Sequence, residues 1–263
     1  MPTTAPLSVA ELTELLGPGS CWGPISWRAV TGSTNDDLAA LARHGARAGQ
    51  VLFSEHQRVG KGRFTRAWQD TPGTSVASSV LVAPRPQAPS WGWLSLLVGL
   101  AVREGIETYT GAQPGRITLK WPNDVLVDGR KVCGILCERV GDLAVLGWGL
   151  NICMDEDELP VPRAGSLLLA GLPHDKTGVL AAVLTSLQRW FELWQERGEV
   201  RSEYEAVCDT IGRQVNLHAD IERSGSSVIP GLAVGVDATG AILIEDAEGG
   251  RRPYSAGDVV HLR

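Results

Sequence analysis

Two spacings of apolar residues take turns along the chain. Ser8 to Leu16 has helical spacing, opened by the capping box Ser8-x-x-Glu11 and closed by Gly17 and Pro18. "PISWRAV" alternates weakly, as a strand does. "STNDDLAALARHG" returns to helical spacing: Ser33, Thr34 or Asn35 can cap it, Asp36 and Asp37 suit its positive end, and Gly45 can close it. "QVLFSE" and "SVASSVLVAP" read as strands, and "WGWLSLLVGLAVREGIETYTG" as a helix of about four turns. "ITLKW" is a short strand broken by Pro122. "VLVDGRKVCGILCERV" is two strands joined by Asp128-Gly129, a strong two-residue hairpin signal. "LAVLGWGLNIC" is a further strand. "MDEDELPVPRAG" is acidic, carries prolines and is expected to be mobile. Leu180 to Trp194 and Ser202 to Thr210 read as helices.

The texture changes from Ile211. Short β-rich runs alternate with Gly, Asp and Ser turns up to the last residue, and no convincing helix remains. That is the pattern of a small all-β barrel appended to an α+β domain. The expected division is residues 1–210 and 211–263, and neither part shows repeats or low complexity.

Composition narrows the function. A chain of 263 residues with 43% hydrophobic and 21% charged residues is an ordinary soluble length and mix. A net charge of -6 argues against nucleic acid as the main partner, because phosphate backbones attract broad basic fields. The five cysteines are odd in number and widely spread, which fits reduced thiols in a cytoplasmic protein. Cys133 and Cys137 lie in an apolar strand-like run and are not expected to bind metal. The N-terminus has no basic leader with an apolar core, and no run reaches the ~18 apolar residues of a membrane helix. The 24 basic residues divide into 20 arginines and 4 lysines, and three of the lysines (Lys61, Lys120 and Lys131) fall in the densest motif-like stretches. An ammonium is a compact point charge, and a chain that otherwise uses arginine can keep it where that is needed.

The loop Gly60-Lys61-Gly62-Arg63-Phe64-Thr65-Arg66 follows a strand. Its glycines let backbone N–H groups approach an anion and its cations add charge. The spacing is neither G-x-x-x-x-G-K-[ST] nor G-x-G-x-x-G, so by itself it indicates an anion site or a solvated basic turn. Lys120 ends one strand beside the turn Pro122-Asn123-Asp124. Lys131 opens another, with Gly134 three residues on. Across a two-residue turn Lys131 would face Leu126, with Asp124 slightly beyond.

"STN" at 33–35, "EHQRVGKGRFTRAW" at 55–68, "LKWPNDVLVDGRKVCGIL" at 119–136 and "GWGLNI" at 147–152 together resemble biotin protein ligases, and "IGRQV" and "SAGDVVHLR" resemble that family's terminal barrel. The resemblance implies a class II synthetase-like catalytic domain with a mixed, mainly antiparallel sheet, and a C-terminal SH3-like barrel. It implies two steps: biotin and MgATP give biotinyl-5′-adenylate, then a lysine of a biotin carboxyl carrier domain takes the biotinyl group. Lys131 would touch both the biotin carboxylate and the α-phosphate. Lys61 and Arg63 would lie on a loop that folds over both ligands, and Arg66 would serve pyrophosphate or loop order. Ser33, Thr34, Asn35 and Gln57 would bond the ureido ring or order the residues that do, with Gly60, Gly62 and Gly134 beside the biotin. Trp68 and Trp121 would wall an apolar slot or pack in the core. Asp124, helped by Lys120, would steer or deprotonate the incoming lysine, with Mg²⁺ binding or simply holding the turn left open. Asn123 and Asn151 would order metal or phosphates. Residues 59–69 are expected to order on ligand binding.

Two departures stand out. The family commonly has arginine where Lys61 stands and often a third glycine where Thr65 stands. Only about 24 residues precede "PISWRAV", too few for the DNA-binding domain of some members, so no operator binding is expected. A related lipoate ligase and a non-catalytic biotin-binding regulator are the competing readings. The sequence leaves monomer or homodimer open.

Overall fold

The protein is described by a computed structural model over residues 5–64, 66–85, 88–219 and 227–262; Thr65 lies outside them. The Ser8 hydroxyl receives the Glu11 N–H at 3.3 Å and opens α1 (Val9–Leu16). β1 (Ile25–Arg28) leads to α2 (Thr34–Arg43), capped by Ser33, with Asp36 and Asp37 in its first turn and Arg43 in its last. β2 (Val51–Ser54), β3 (Ser75–Val82) and α3 (Trp93–Thr110) follow. β4 (Ile117–Lys120), β5 (Asp124–Val127), β6 (Arg130–Val140) and β7 (Leu143–Asn151) form a meander. The β5–β6 turn has φ +49° at Asp128 and +78° at Gly129, as a tight hairpin requires.

Two helices differ from expectation. α4 (Lys176–Arg197) begins before Leu180, because the Asp175 carboxylate receives the Gly178 N–H at 2.7 Å and caps a start that apolar spacing does not reveal. α5 (Arg201–Glu205) stops well short of Thr210. There the backbone pairs with β4 instead: Leu119 N–H donates to Val207 O at 2.9 Å and Asp209 N–H to Leu119 O at 2.7 Å. The acidic segment is also better anchored than its composition suggests. Glu156 pairs with Arg130 at 2.8 Å, and Ala164 bridges Lys131 in parallel.

The seven strands order as β1-β2-β3-β7-β6-β5-β4, with β1–β2 parallel and the rest antiparallel. α3 and α4 cover one face, and Val76, Val80, Leu146 and Leu150 alternate into that core. On the other face Leu38 and Ala39 of α2 pack on Leu52, Leu81 and Val145. Beyond α2 this second face carries Ala77, Gly134, Gly147 and Gly149, a bare floor with a cavity above it. The chain ends in a five-stranded antiparallel SH3-like sheet: β8 (Gln214–Ala219), β9 (Ser227–Val236), β10 (Ile242–Glu245), β11 (Arg251–Tyr254) and β12 (Asp258–His261), in the order β11-β10-β9-β8-β12. Its apolar side (Val215, Leu217, Ile242, Ile244 and Val259) joins the main core. The Trp121 indole N–H donates to Gly240 O at 3.1 Å. The architecture is α+β.

Candidate active site

A cavity of about 300 Å³ lies between the bare floor, the 57–70 loop, the 120–124 turn and β12. Most of the predicted residues line it: Ser33, Thr34, Asn35, Gln57, Lys61, Gly62, Arg63, Arg66, Trp68, Lys120, Asn123, Asp124, Lys131 and Gly134. Two do not. Gly60 lies under the loop, where a Cβ would meet Trp68 O at 2.6 Å, so its smallness serves the loop's own hairpin. Asn151 is buried at the end of β7 and its Nδ2 donates to Gly165 O at 2.9 Å. It does not reach the cavity, but it holds the strap that pairs with Lys131, whose N–H donates to Arg163 O at 2.8 Å. Trp121 lines the cavity yet is nearly fully buried, so core packing is its main role.

The position of Lys131 depends on a bulge. Leu126 pairs with Lys131 as the turn predicts, but Val125 pairs with Cys133 and Asp124 with Gly134, so Val132 is an extra residue. Val132 and Cys133 both enter the core. Strict alternation from Gly134 would point Lys131 into that core as well; the bulge turns it to the cavity. There its Nζ pairs with Asp124 Oδ1 at 2.5 Å. Asp124 lies directly across from Lys120 in the β4–β5 ladder. Burial lowers the Lys120 pKa below its usual value, with Asp124 opposing and Lys131 reinforcing the shift. Asn123 is locked to β6 by two bonds to Ile135, each 2.9 Å.

At the other end the uncharged side chains form a closed network. Gln57 Oε1 receives the Thr34 N–H at 2.7 Å and the Thr34 hydroxyl at 3.1 Å. Asn35 Nδ2 donates to Leu136 O at 3.1 Å and Glu138 Oε2 at 2.7 Å, and Ser79 Oγ lies 2.7 Å from both Thr34 Oγ1 and Asn35 Oδ1. Asn35 therefore spends its polar atoms on ordering neighbours. Ser79, absent from the sequence reading, had only the small residues of its strand as a signal.

The loop's cations rest on carboxylates that the sequence reading did not select. Lys61 Nζ pairs with Asp36 at 2.5 Å, and this hydrogen bond raises its pKa. Arg63 donates to Gly257 O at 3.1 Å and lies 3.4 Å from Asp258 Oδ1, and Arg66 pairs with Asp258 Oδ2. Burial lowers the Arg63 pKa, with Asp258 and Asp124 opposing. Glu55, where the loop leaves β2, pairs at 2.8 Å with Lys176, which is 2% exposed. The fourth lysine is thus also a placed charge.

This constellation, a cation-rich loop over a glycine floor beside a hairpin-borne lysine, is that of an enzyme joining a small acid to a nucleotide. The chain belongs to the biotin/lipoate A/B protein ligase family, whose sequence profile matches residues 27–151, and the biotin protein ligase C-terminal domain profile matches residues 210–262. Proteins similar to it include biotin ligases. It is 38% identical to a biotin–[acetyl-CoA-carboxylase] ligase of Mycobacterium tuberculosis, over 95% of this chain and 93% of the other. It is 30% identical to the bifunctional ligase/repressor BirA of Escherichia coli, over 97% of this chain and 78% of that one. The biotin protein ligase from Aquifex aeolicus in complex with biotin and ATP superposes with a TM-score of 0.74 at 26% identity, over 92% of this chain and all of that one.

Proposed function

We propose that this protein activates biotin with MgATP and transfers the biotinyl group to a lysine of a biotin carboxyl carrier domain, in the cytoplasm. One observation supports it above the others: Lys61, Arg63, Arg66, Lys120 and Lys131 line one cavity together with the uncharged polar side chains of Ser33, Thr34, Asn35 and Gln57. In the first step a carboxylate oxygen attacks the α-phosphorus, the bond to the bridging oxygen breaks and pyrophosphate leaves. Two anions must meet, and each cation contact at ~4 Å gains roughly 4 kcal/mol before desolvation at an effective dielectric of ~20. Lys131 would leave Asp124 to follow the oxygens that carry this charge. Arg63 and Arg66 would exchange Asp258 for phosphate oxygens. Gln57 and Thr34 would present the ureido ring with donors and acceptors already fixed by Ser79 and Asn35. Mg²⁺ would arrive on the ATP phosphates: among the described residues no three His, Cys, Asp or Glu side chains converge on a metal site.

In the second step the carrier amine attacks the mixed anhydride and AMP leaves. Asp124, freed from Lys131, would receive the proton of the incoming ammonium. The 57–70 loop would exclude water from the adenylate. Biotin-dependent ATP–pyrophosphate exchange tests the reading. Wild type should exchange, and Lys131→Ala should lower the rate by about 10²–10³-fold. Exchange with lipoate and none with biotin would overturn the assignment.

A further inference from the structure

The legs of the 57–70 loop are joined by backbone bonds, Trp68 N–H to Gly60 O at 2.9 Å and Gly73 N–H to Glu55 O at 3.3 Å, and between these two by one carboxylate. Asp70 ends the far leg, and its side chain is 0% exposed. Its Oδ1 lies 2.5 Å from His56 Nδ1, and its Oδ2 receives the Gln57 backbone N–H at 3.3 Å. Two consecutive residues of the near leg therefore depend on one buried anion. The near leg is otherwise well seated. Thr31 N–H donates to His56 O at 3.0 Å, and Arg58 N–H donates to Thr31 O at 2.9 Å. Gln57 then reaches across to cap the start of α2 through Thr34.

We propose that Asp70 is a positioning residue for the biotin end of the cavity, acting through His56 and Gln57. The proposal rests on the biotin-ligase reading above. A buried carboxylate is strongly unfavourable unless its oxygens are bonded, so the clasp forms as a unit or the far leg leaves. Closed, it fixes the Gln57 amide against Thr34 and joins the loop's ends before any ligand arrives. A ligand that orders the loop then meets a smaller entropic cost. Opened, that cost falls on binding, while Lys131 and the 120–124 turn, which the clasp does not touch, keep their geometry. The affected quantity is the KM for biotin, with kcat retained at saturation.

The test uses the full chain and three variants: Asp70→Ala, His56→Leu and His56→Asn. An asparagine places an amide N–H about where Nδ1 stands, so His56→Asn should behave as wild type. Asp70→Ala and His56→Leu should raise the KM for biotin about tenfold, with kcat and, at saturating biotin, the KM for ATP within about twofold. Trypsin should cut both faster at Arg58, Lys61, Arg63 and Arg66, and saturating biotin should restore protection. Unchanged cleavage and KM in His56→Leu would overturn the proposal. So would equal losses in His56→Asn and His56→Leu, or a fall in kcat matching the rise in KM. If wild type shows no biotin-dependent exchange, the functional reading fails, and the cleavage of the three variants without biotin still decides whether the clasp exists.

Discussion

Gly134, Gly147 and Gly149 give the cavity a floor of bare backbone, whereas the loop above it carries three cations held by carboxylate side chains. The floor is fixed by excluded volume. A Cβ on Gly147 would stand 2.0 Å from Asn35 Oδ1, and one on Gly149 would stand 2.4 Å from the Trp68 ring. Both glycines lie within β7, bonded to β3 on one side and β6 on the other, so the backbone cannot retreat. The loop is fixed by charge instead: Asp36 holds Lys61, and Asp258 holds Arg63 and Arg66. A floor built from backbone keeps its shape at any ionic strength. A roof built from ion pairs can exchange its own carboxylates for a substrate's anions, and salt weakens it. Substitutions should therefore act on stability and ligand fit below the ligand, and on affinity above it.

Gly147→Ala should have the largest effect. Asn35 is buried and bonded to Ser79, Leu136 and Glu138, so it cannot yield without leaving polar atoms unpaired. Overpacking of this kind costs about 2–3 kcal/mol, which corresponds to a melting temperature lower by about 5–10 °C. Calorimetry with biotin should show no binding. A variant that melts with wild type would mean the floor has slack, and the contrast drawn above would be lost.

Asp258→Ala probes the roof. It leaves the fold intact but unseats Arg63 and Arg66 together. The KM for ATP should rise about three- to tenfold, since both guanidiniums lose the partner that places them over the cavity before ATP arrives, and that ordering then falls on binding. Added salt should narrow the gap, because it weakens the wild-type pairing that the variant already lacks. A salt-independent gap would point to a packing role for Asp258.

What the sequence revealed of this contrast depended on range. The Ser8 cap, the Asp128-Gly129 turn and the β-rich tail are local, and each is legible from adjacent residues. Lys131 opposite Leu126 follows from the turn alone. The bulge at Val132 does not, since no residue there announces an extra position; it arises where the core takes both Val132 and Cys133. Asn151 was read by its neighbourhood in the chain and works one layer behind the cavity. Asp258 lies 195 residues from Arg63, and nothing in its short strand shows that it faces the loop. The family motifs carried the candidate site, while the carboxylates that hold its cations needed the fold.

His261, on the same strand as Asp258, offers a smaller and pH-dependent test of the roof's anchor. Burial, reinforced by Lys120, lowers its pKa to about 4 from 6.5, and its Nε2 lies 3.1 Å from Thr210 Oγ1. Between those two values the unfolded chain binds a proton that the folded chain does not. Stability should thus fall as pH drops from about 6.5 toward 4. His261→Asn removes that titration, so its melting temperature should depend less on pH across this window. Melting curves at several pH values check the difference, and parallel slopes for the two proteins would contradict it.

The smallest effect is expected at Lys61, where the family commonly has arginine. The Lys61–Asp36 pair joins the loop to the first turn of α2, but its side chains are 41% and 52% exposed. An exposed pair is worth about 0.2–1 kcal/mol, because water competes and two long side chains must be ordered. Lys61→Arg keeps the charge and can keep Asp36, so the KM for biotin should change by less than about threefold. Asp36→Ala frees the ammonium and removes the tie, and it should cost somewhat more, still within the range of an exposed pair. Exchange kinetics for both variants at low and moderate salt decide the matter. If either change cost as much as Asp258→Ala, the tie to α2 would be a principal anchor of the roof, and the loop would have to be regarded as held equally from both sides of the cavity.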